Sequence, residues 1–208
     1  MLRADGYRVV VSRTRDAAVA RPQPGDESDG VYTAQGAHNE VASRDVCANL
    51  AKASILIGIY MDAGGSTQNA GSITAYDAAR TFSAANLRLA DLVQNAVLAE
   101  MNAQGWGIPN DGVQSDATLG GPPLSSAAAT YGHLLLLGPA MPGYFDTPSE
   151  MPGALIEPLF ITDPYEGSIA ASTQGQRLIA TGLAEAVKQY FEAPTTTPTT
   201  ALTPGLGT

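Results

Sequence analysis

The chain has 208 residues, 44% of them apolar and 15% charged, which suits one α/β domain with a sizeable core. Its net charge of −9, with Lys52 and Lys188 as its only lysines, argues against unspecific binding to nucleic acid or to anionic membranes. The single cysteine, Cys47, excludes an internal disulfide and a cysteine-rich metal site, and no apolar run reaches the roughly 18 residues of a membrane span. The first residues, Met1 to Tyr7, lack the apolar stretch of a signal peptide.

In chain order, Tyr7-Arg8-Val9-Val10-Val11-Ser12 is β-branched after a glycine and predicts a strand. Residues 17 to 37, rich in Pro, Gly, Asp and Ala without periodicity, predict a loop. From Asn39 to Ala53 the apolar positions Val41, Val46, Leu50 and Ala53 predict a helix, in which Cys47 is a small apolar residue. Ser54 to Tyr60 has almost no polar alternation, the pattern of a strand buried on both faces in a parallel sheet. A Gly-rich connection then leads into a short strand over Ser72 to Tyr76.

The longest helical pattern follows, from about Ala78 to Gln104, with Phe82, Ala85, Leu89, Leu92, Val93, Ala96 and Leu98 as its apolar stripe and Gly105 as its stop. A loop is expected from there to about Thr130, then a short apolar strand from His133 to Leu137. Gly153 to Glu157 predicts a last strand, and Thr173 to Phe191 an amphipathic closing helix. Residues 192 to 208, with Thr195-Thr196-Thr197-Pro198-Thr199-Thr200, predict a disordered Thr/Pro-rich tail. The alternation predicts a single, mostly parallel sheet with helices on both faces, formed by residues 1–191.

Reactive groups in open α/β sheets gather at the carboxyl ends of strands, and two strand ends here bear candidates: Tyr60 with Asp62, and Glu157. A carboxylate ending an apolar strand and followed by Pro158, Leu159 and Phe160 is either a cap or ion-pair partner or an acid/base group. Asp62 is expected to be structural and solvent-exposed. His38, just before a helix, is expected to cap it or face solvent, and His133 to be a satisfied core residue. Trp106 and Tyr131, beside loops, are weak candidates for lining a glycan groove.

Two stretches carry a resemblance to a known family. Arg44 to Ala63, through Ala48-Asn49 to Ser54-Ile55 and the strand end at Tyr60, resembles the Ser-Ile-His-Ala-Asn region of the zinc-dependent N-acetylmuramoyl-L-alanine amidases. Pro152 to Asp163 is similar to their Pro-x-x-Leu-Val-Glu-x-x-Phe-Leu-Ser-Asn segment. Leu2 to Asp16, Gly71 to Tyr76, Asn110-Asp111-Gly112-Val113 and the helix ending at Tyr190-Phe191 follow in the family's order, so the resemblance covers about residues 2 to 191.

The resemblance implies a peptidoglycan hydrolase fold. The family cuts the amide between the lactyl group of muramic acid and the first L-Ala of the stem peptide. It makes Glu157 the general base and acid that would act on a zinc-bound water, and it places peptidoglycan as partner and the cell envelope as location. It also implies a first strand, ending Asp-x-Gly-His-Gly-Gly, that supplies one zinc-binding His, and a following helix that supplies a zinc-binding Glu; residues 1–208 match neither. At the third ligand position stands Tyr60, a phenol with a reference pKa of about 10 and a poor zinc donor. The expectation is therefore an amidase-like domain that lacks its first strand, binds no zinc and has little or no hydrolase activity, with a non-catalytic peptidoglycan-binding or regulatory module as the alternative.

Overall fold

The computed structural model describes residues 1–119 and 123–192; the expected Thr/Pro tail lies, from residue 193 on, outside the described residues. A two-strand hairpin, β1 (Glu27–Ser28) and β2 (Val31–Tyr32), precedes helix α1 (Ala34–Leu50), strand β3 (Leu56–Ile59) and strand β4 (Ser72–Tyr76). Helix α2 (Ser83–Asn102), strand β5 (Asn110–Ser115), a 3-10 turn (Asp116–Thr118) and helix α3 (Ser126–Tyr131) follow. Strand β6 (Gly153–Glu157) and helices α4 (Pro164–Ala171) and α5 (Thr173–Phe191) complete the domain.

The main sheet has the order β3-β6-β4-β5. β3 runs parallel to β6, β4 parallel to β5, and the two pairs meet antiparallel at β4 and β6. Helices cover both faces, so the expected α/β class is found, with one antiparallel seam inside a mostly parallel arrangement. That seam fixes where chemistry can sit. The carboxyl ends of β3 and β6 share one end of the sheet, and those of β4 and β5 share the other.

One face is mainly apolar, with Asn86 and Gln94 of α2 as buried, hydrogen-bonded exceptions. Leu89, Ala90, Val93, Val97 and Met101 of α2, Ile179, Leu183 and Ala186 of α5, and Ala154, Ile156 and Leu159 form a single cluster with Ile108 and Ile169. The 3.6-residue spacing read in the two long helices supplies this face. At Gly182 the helices touch: an added Cβ would stand 2.5 Å from the Cα of Val97. The opposite face, under α1, holds a smaller cluster of Ala75, Leu136, Leu137 and Leu155, flanked by Val41, Leu56, Tyr60, Leu119 and Leu134. The buried positions of α1 are Gly36, Glu40, Asp45 and Ala48, so this helix turns a largely polar side inward.

Four expectations need correction. Tyr7–Ser12 forms no strand: no described strand lies beside it to complete a ladder, and Val10 and Val11 remain 51% and 52% exposed. β propensity reports fit to a neighbouring sheet rather than a backbone preference, so without that neighbour the run stays irregular. The loop over 17–37 contains the β1–β2 hairpin and the start of α1. Asp29 and Gly30 both take positive φ, the backbone a two-residue hairpin needs, and Thr33 caps α1 by accepting the Gly36 N–H at 3.1 Å.

The stretch to Thr130, expected to be a loop, contains β5 and α3. β5 reads as Asn-Asp-Gly-Val-Gln-Ser because it is an edge strand, paired only with β4 and part exposed. His133 to Leu137 is a turn, closed by Leu137 N–H and Gly138 N–H on the Leu134 carbonyl at 3.0 and 2.8 Å. Leu136 and Leu137 are buried in the smaller cluster all the same, and a short apolar run satisfies turn and strand alike.

Candidate functional site at the ends of β3 and β6

The parallel register pairs Ile59 with Ile156, and the ladder runs on past both strands. Tyr60 N–H donates to Ile156 C=O at 3.0 Å, Asp62 N–H to Leu159 C=O at 3.0 Å, and Ile161 N–H to Asp62 C=O at 2.8 Å. Tyr60, Asp62 and Glu157 are thereby brought together at one end of the sheet. Tyr60 packs on the α1 side, against the smaller apolar cluster. Glu157 is two residues beyond Leu155, a member of that cluster, and strand alternation places it on the same side.

The electrostatics of this end are set by α1. Arg44 donates from Nη1 to the Tyr60 hydroxyl at 2.6 Å, and from Nη2 to Glu40 at 3.3 Å. Glu40 in turn accepts the Val19 N–H with both oxygens, at 3.1 and 2.9 Å. Burial raises the pKa of Tyr60, partly offset by Arg44, so the phenol stays neutral at pH 7. Burial, and then the negative charge of Asp62, also raise the carboxyl of Glu157. Asp62 is half-buried rather than fully exposed, and its Oδ1 accepts the Ala63 N–H at 2.6 Å.

Whether zinc fits here is decided by the donors. A guanidinium already holds the phenol oxygen at the position of the expected third ligand, and a second cation beside it would be repelled. Tyr60, Asp62 and Glu157 supply no imidazole or thiolate. These residues do not fit a zinc centre.

A second group lies at the opposite end of the sheet. Asp77 follows β4, Asp116 follows β5, and His133 enters from the turn after α3; one ligating atom of each lies within 4.8 Å of the other two. His133 Nδ1 is 2.9 Å from Asp77 Oδ2 and 3.4 Å from Asp116 Oδ2. Asp77 Oδ1 is used locally, accepting Ala79 and Arg80 N–H at 2.6 and 2.9 Å, and Asp116 Oδ2 accepts Leu134 N–H at 3.0 Å. Burial, reinforced by Asp77, pushes the Asp116 carboxyl up to about 6. Residue spacing gave no warning of this group, because its members are 39 and 17 positions apart and only the parallel pairing of β4 with β5, with the turn at His133 packed beside it, joins them.

The remaining candidates resolve as packing. His38 neither caps α1 nor faces open solvent; it stands edge-on to Tyr144, with ring centroids 4.7 Å apart. Tyr131 is buried and donates its hydroxyl to Pro139 C=O at 2.7 Å, so it lines no groove. Trp106 packs against the larger cluster. Cys47 is half-buried and free. Arg44, whose role decides the character of the β3–β6 end, went unassigned in the sequence; the spacing of 16 residues to Tyr60 spans a helix and a strand and has no local signature.

A seamed four-stranded sheet, helices on both faces and a carboxylate ending a central strand define an α/β domain of the amidase class. Residues 1–189 match the N-acetylmuramoyl-L-alanine amidases, and the chain belongs to this family, which in general depends on zinc. Among solved structures, it is similar to the CwlD amidase from Clostridioides difficile in complex with the GerS lipoprotein: 15% identity, TM-score 0.62, 91% of this chain and 78% of that one covered. It is also similar to the N-acetylmuramyl-L-alanine amidase from Mycobacterium smegmatis (19% identity, TM-score 0.57, 92% and 70% covered). A third likeness is to the N-acetylmuramoyl-L-alanine amidase from Clostridium difficile 630 (20% identity, TM-score 0.53, 81% and 70% covered). At these identities the likeness is one of fold. No curated protein sequence matches the chain. No helix among the described residues is long and apolar enough to cross a membrane.

Proposed function

We propose that residues 1–191 form a peptidoglycan-binding unit of the cell envelope that has lost the family's amide hydrolysis. The observation that carries this reading is the Arg44 Nη1 to Tyr60 Oη hydrogen bond of 2.6 Å. It puts a fixed positive charge and a neutral phenol where the family's chemistry needs a metal donor. Glu157 is the residue that the family resemblance makes the acid/base, and burial with the nearby Asp62 raises its carboxyl above the ordinary value. Tyr60, Asp62 and Glu157 do not make a zinc centre, so no hydrolytic step is assigned to Glu157. Tyr60, Asp62 and Glu157 still meet at the ends of β3 and β6, and this arrangement supports binding of the muramyl peptide.

The test combines binding and turnover. The purified chain is expected to co-sediment with purified peptidoglycan while releasing no stem peptide, with or without added Zn2+. Stem-peptide release that disappears in Glu157→Gln would establish a working amidase and overturn the proposal. Failure to co-sediment would remove the binding role as well.

A further inference from the structure

The group at the other end of the sheet has features that an ordinary buried ion pair does not require. Asp77 and Asp116 have side chains with 0% exposure, yet Asp116 Oδ1 accepts no hydrogen bond, and the 2.9 Å approach of Asp77 Oδ2 to His133 Nδ1 forms none either. Buried carboxylate oxygens without partners are costly. The nearest arginine on the same loop does not relieve them. Arg80 directs Nη1 to the carbonyls of Leu137 and Gly138, at 3.2 and 2.8 Å, and Nη2 to Ser149 C=O. Among the described residues, His133 is the one basic side chain within ion-pair distance of either aspartate.

The spacing is that of ligands around a small cation. Zn–O and Zn–N bonds of about 2.0–2.1 Å in a tetrahedron put neighbouring ligand atoms about 3.3 Å apart. The observed separations from His133 Nδ1 are 2.9 and 3.4 Å. Two carboxylates with a neutral imidazole carry a charge of −2, which a divalent ion neutralises. The imidazole selects a first-row transition ion over Mg2+ or Ca2+, which take oxygen ligands. His133 is 22% exposed, which leaves a solvent-facing side for a fourth ligand.

We propose that Asp77, Asp116 and His133 form a binding site for a divalent transition-metal ion of the zinc class, built through Asp77 Oδ2, one oxygen of Asp116 and His133 Nδ1. It is separate from the end that carries Glu157. Ile73 pairs with Glu157 across the antiparallel seam, and Asp77 lies four residues further along, roughly 13 Å at about 3.3 Å per residue. The ion would tie three segments that the chain brings together only on folding: the end of β4, the end of β5 and the turn at His133. Metal binding to such a site is folding free energy.

The test uses the full chain, stripped with chelator and titrated with Zn2+ and, separately, Co2+. One equivalent of Zn2+ is expected, with a raised melting temperature and a Co2+ visible spectrum of low-coordinate type. His133→Gln and Asp116→Asn are expected to weaken Zn2+ binding about 100-fold or more, while Glu157→Gln leaves the stoichiometry unchanged. Binding undiminished by His133→Gln, loss of binding in Glu157→Gln, or preference for Mg2+ over Zn2+ would overturn the assignment. If the ligand variants fail to fold, the wild-type Co2+ spectrum decides alone. Its absence at saturating Co2+ would overturn the assignment.

Discussion

The two faces of the sheet are built on opposite principles. The α2–α5 face is a continuous apolar cluster in which Leu89, Val93, Val97, Met101 and Ile156 are 0% exposed. The α1 face buries charges instead: Glu40, Asp45, Asp77 and Asp116, with Arg44 and Arg80 threaded among them. Stability is concentrated where packing is apolar, and binding chemistry where polar groups have been taken out of water. The Tyr60–Glu157 end and the proposed ion site both lie on the polar face, at its two ends.

Substitutions can break this contrast. On the apolar face, Leu89→Ala is expected to cost about 2–5 kcal/mol in a denaturant melt, the range for a fully buried leucine. A cost below about 1 kcal/mol would mean that this face is loosely packed. Gly182→Ala places a Cβ 2.8 Å from the Ala96 carbonyl oxygen and should cost about 1–3 kcal/mol by forcing α2 and α5 apart.

On the polar face the expected effects depend on pH. Burial pushes the Asp45 carboxyl up to about 8, and neither of its oxygens has a partner. Between about pH 4 and pH 8 the folded chain holds a proton there that the unfolded chain has released. Stability should therefore fall as pH rises through that window and be fully kept below it. Asp45→Asn is expected to flatten the fall and to melt higher than wild type at pH 8; an unchanged slope would refute the assignment. Tyr60→Phe, which removes only the hydroxyl facing Arg44, should cost about 1 kcal/mol.

The sequence announced the apolar face far better than the polar one. The strands Ser72–Tyr76 and Gly153–Glu157 and the helix Thr173–Phe191 occur with the bounds their patterns predicted, because apolar periodicity is the signal of packing against a core. The family motifs likewise located Tyr60 and Glu157 at adjacent strand ends. What escaped was set by partners distant in sequence. Tyr7–Ser12 has strand composition and no described strand beside it, whereas β5 has loop composition and a strand to pair with. The Asp29-Gly30 hairpin did carry a local signal, a dipeptide suited to two positive φ angles, within a stretch whose composition otherwise reads as loop. Arg44 on Tyr60, and His133 between Asp77 and Asp116, are tertiary meetings with no local periodicity to reveal them.

A metal ion at one end of the polar face and none at the other is a pair of expectations that anomalous diffraction at the zinc edge from zinc-soaked crystals tests at once. A single peak within bonding distance of Asp77, Asp116 and His133, with none near Glu157, is the predicted result. A peak between Tyr60 and Glu157, with Arg44 swung away from the phenol, would contradict it.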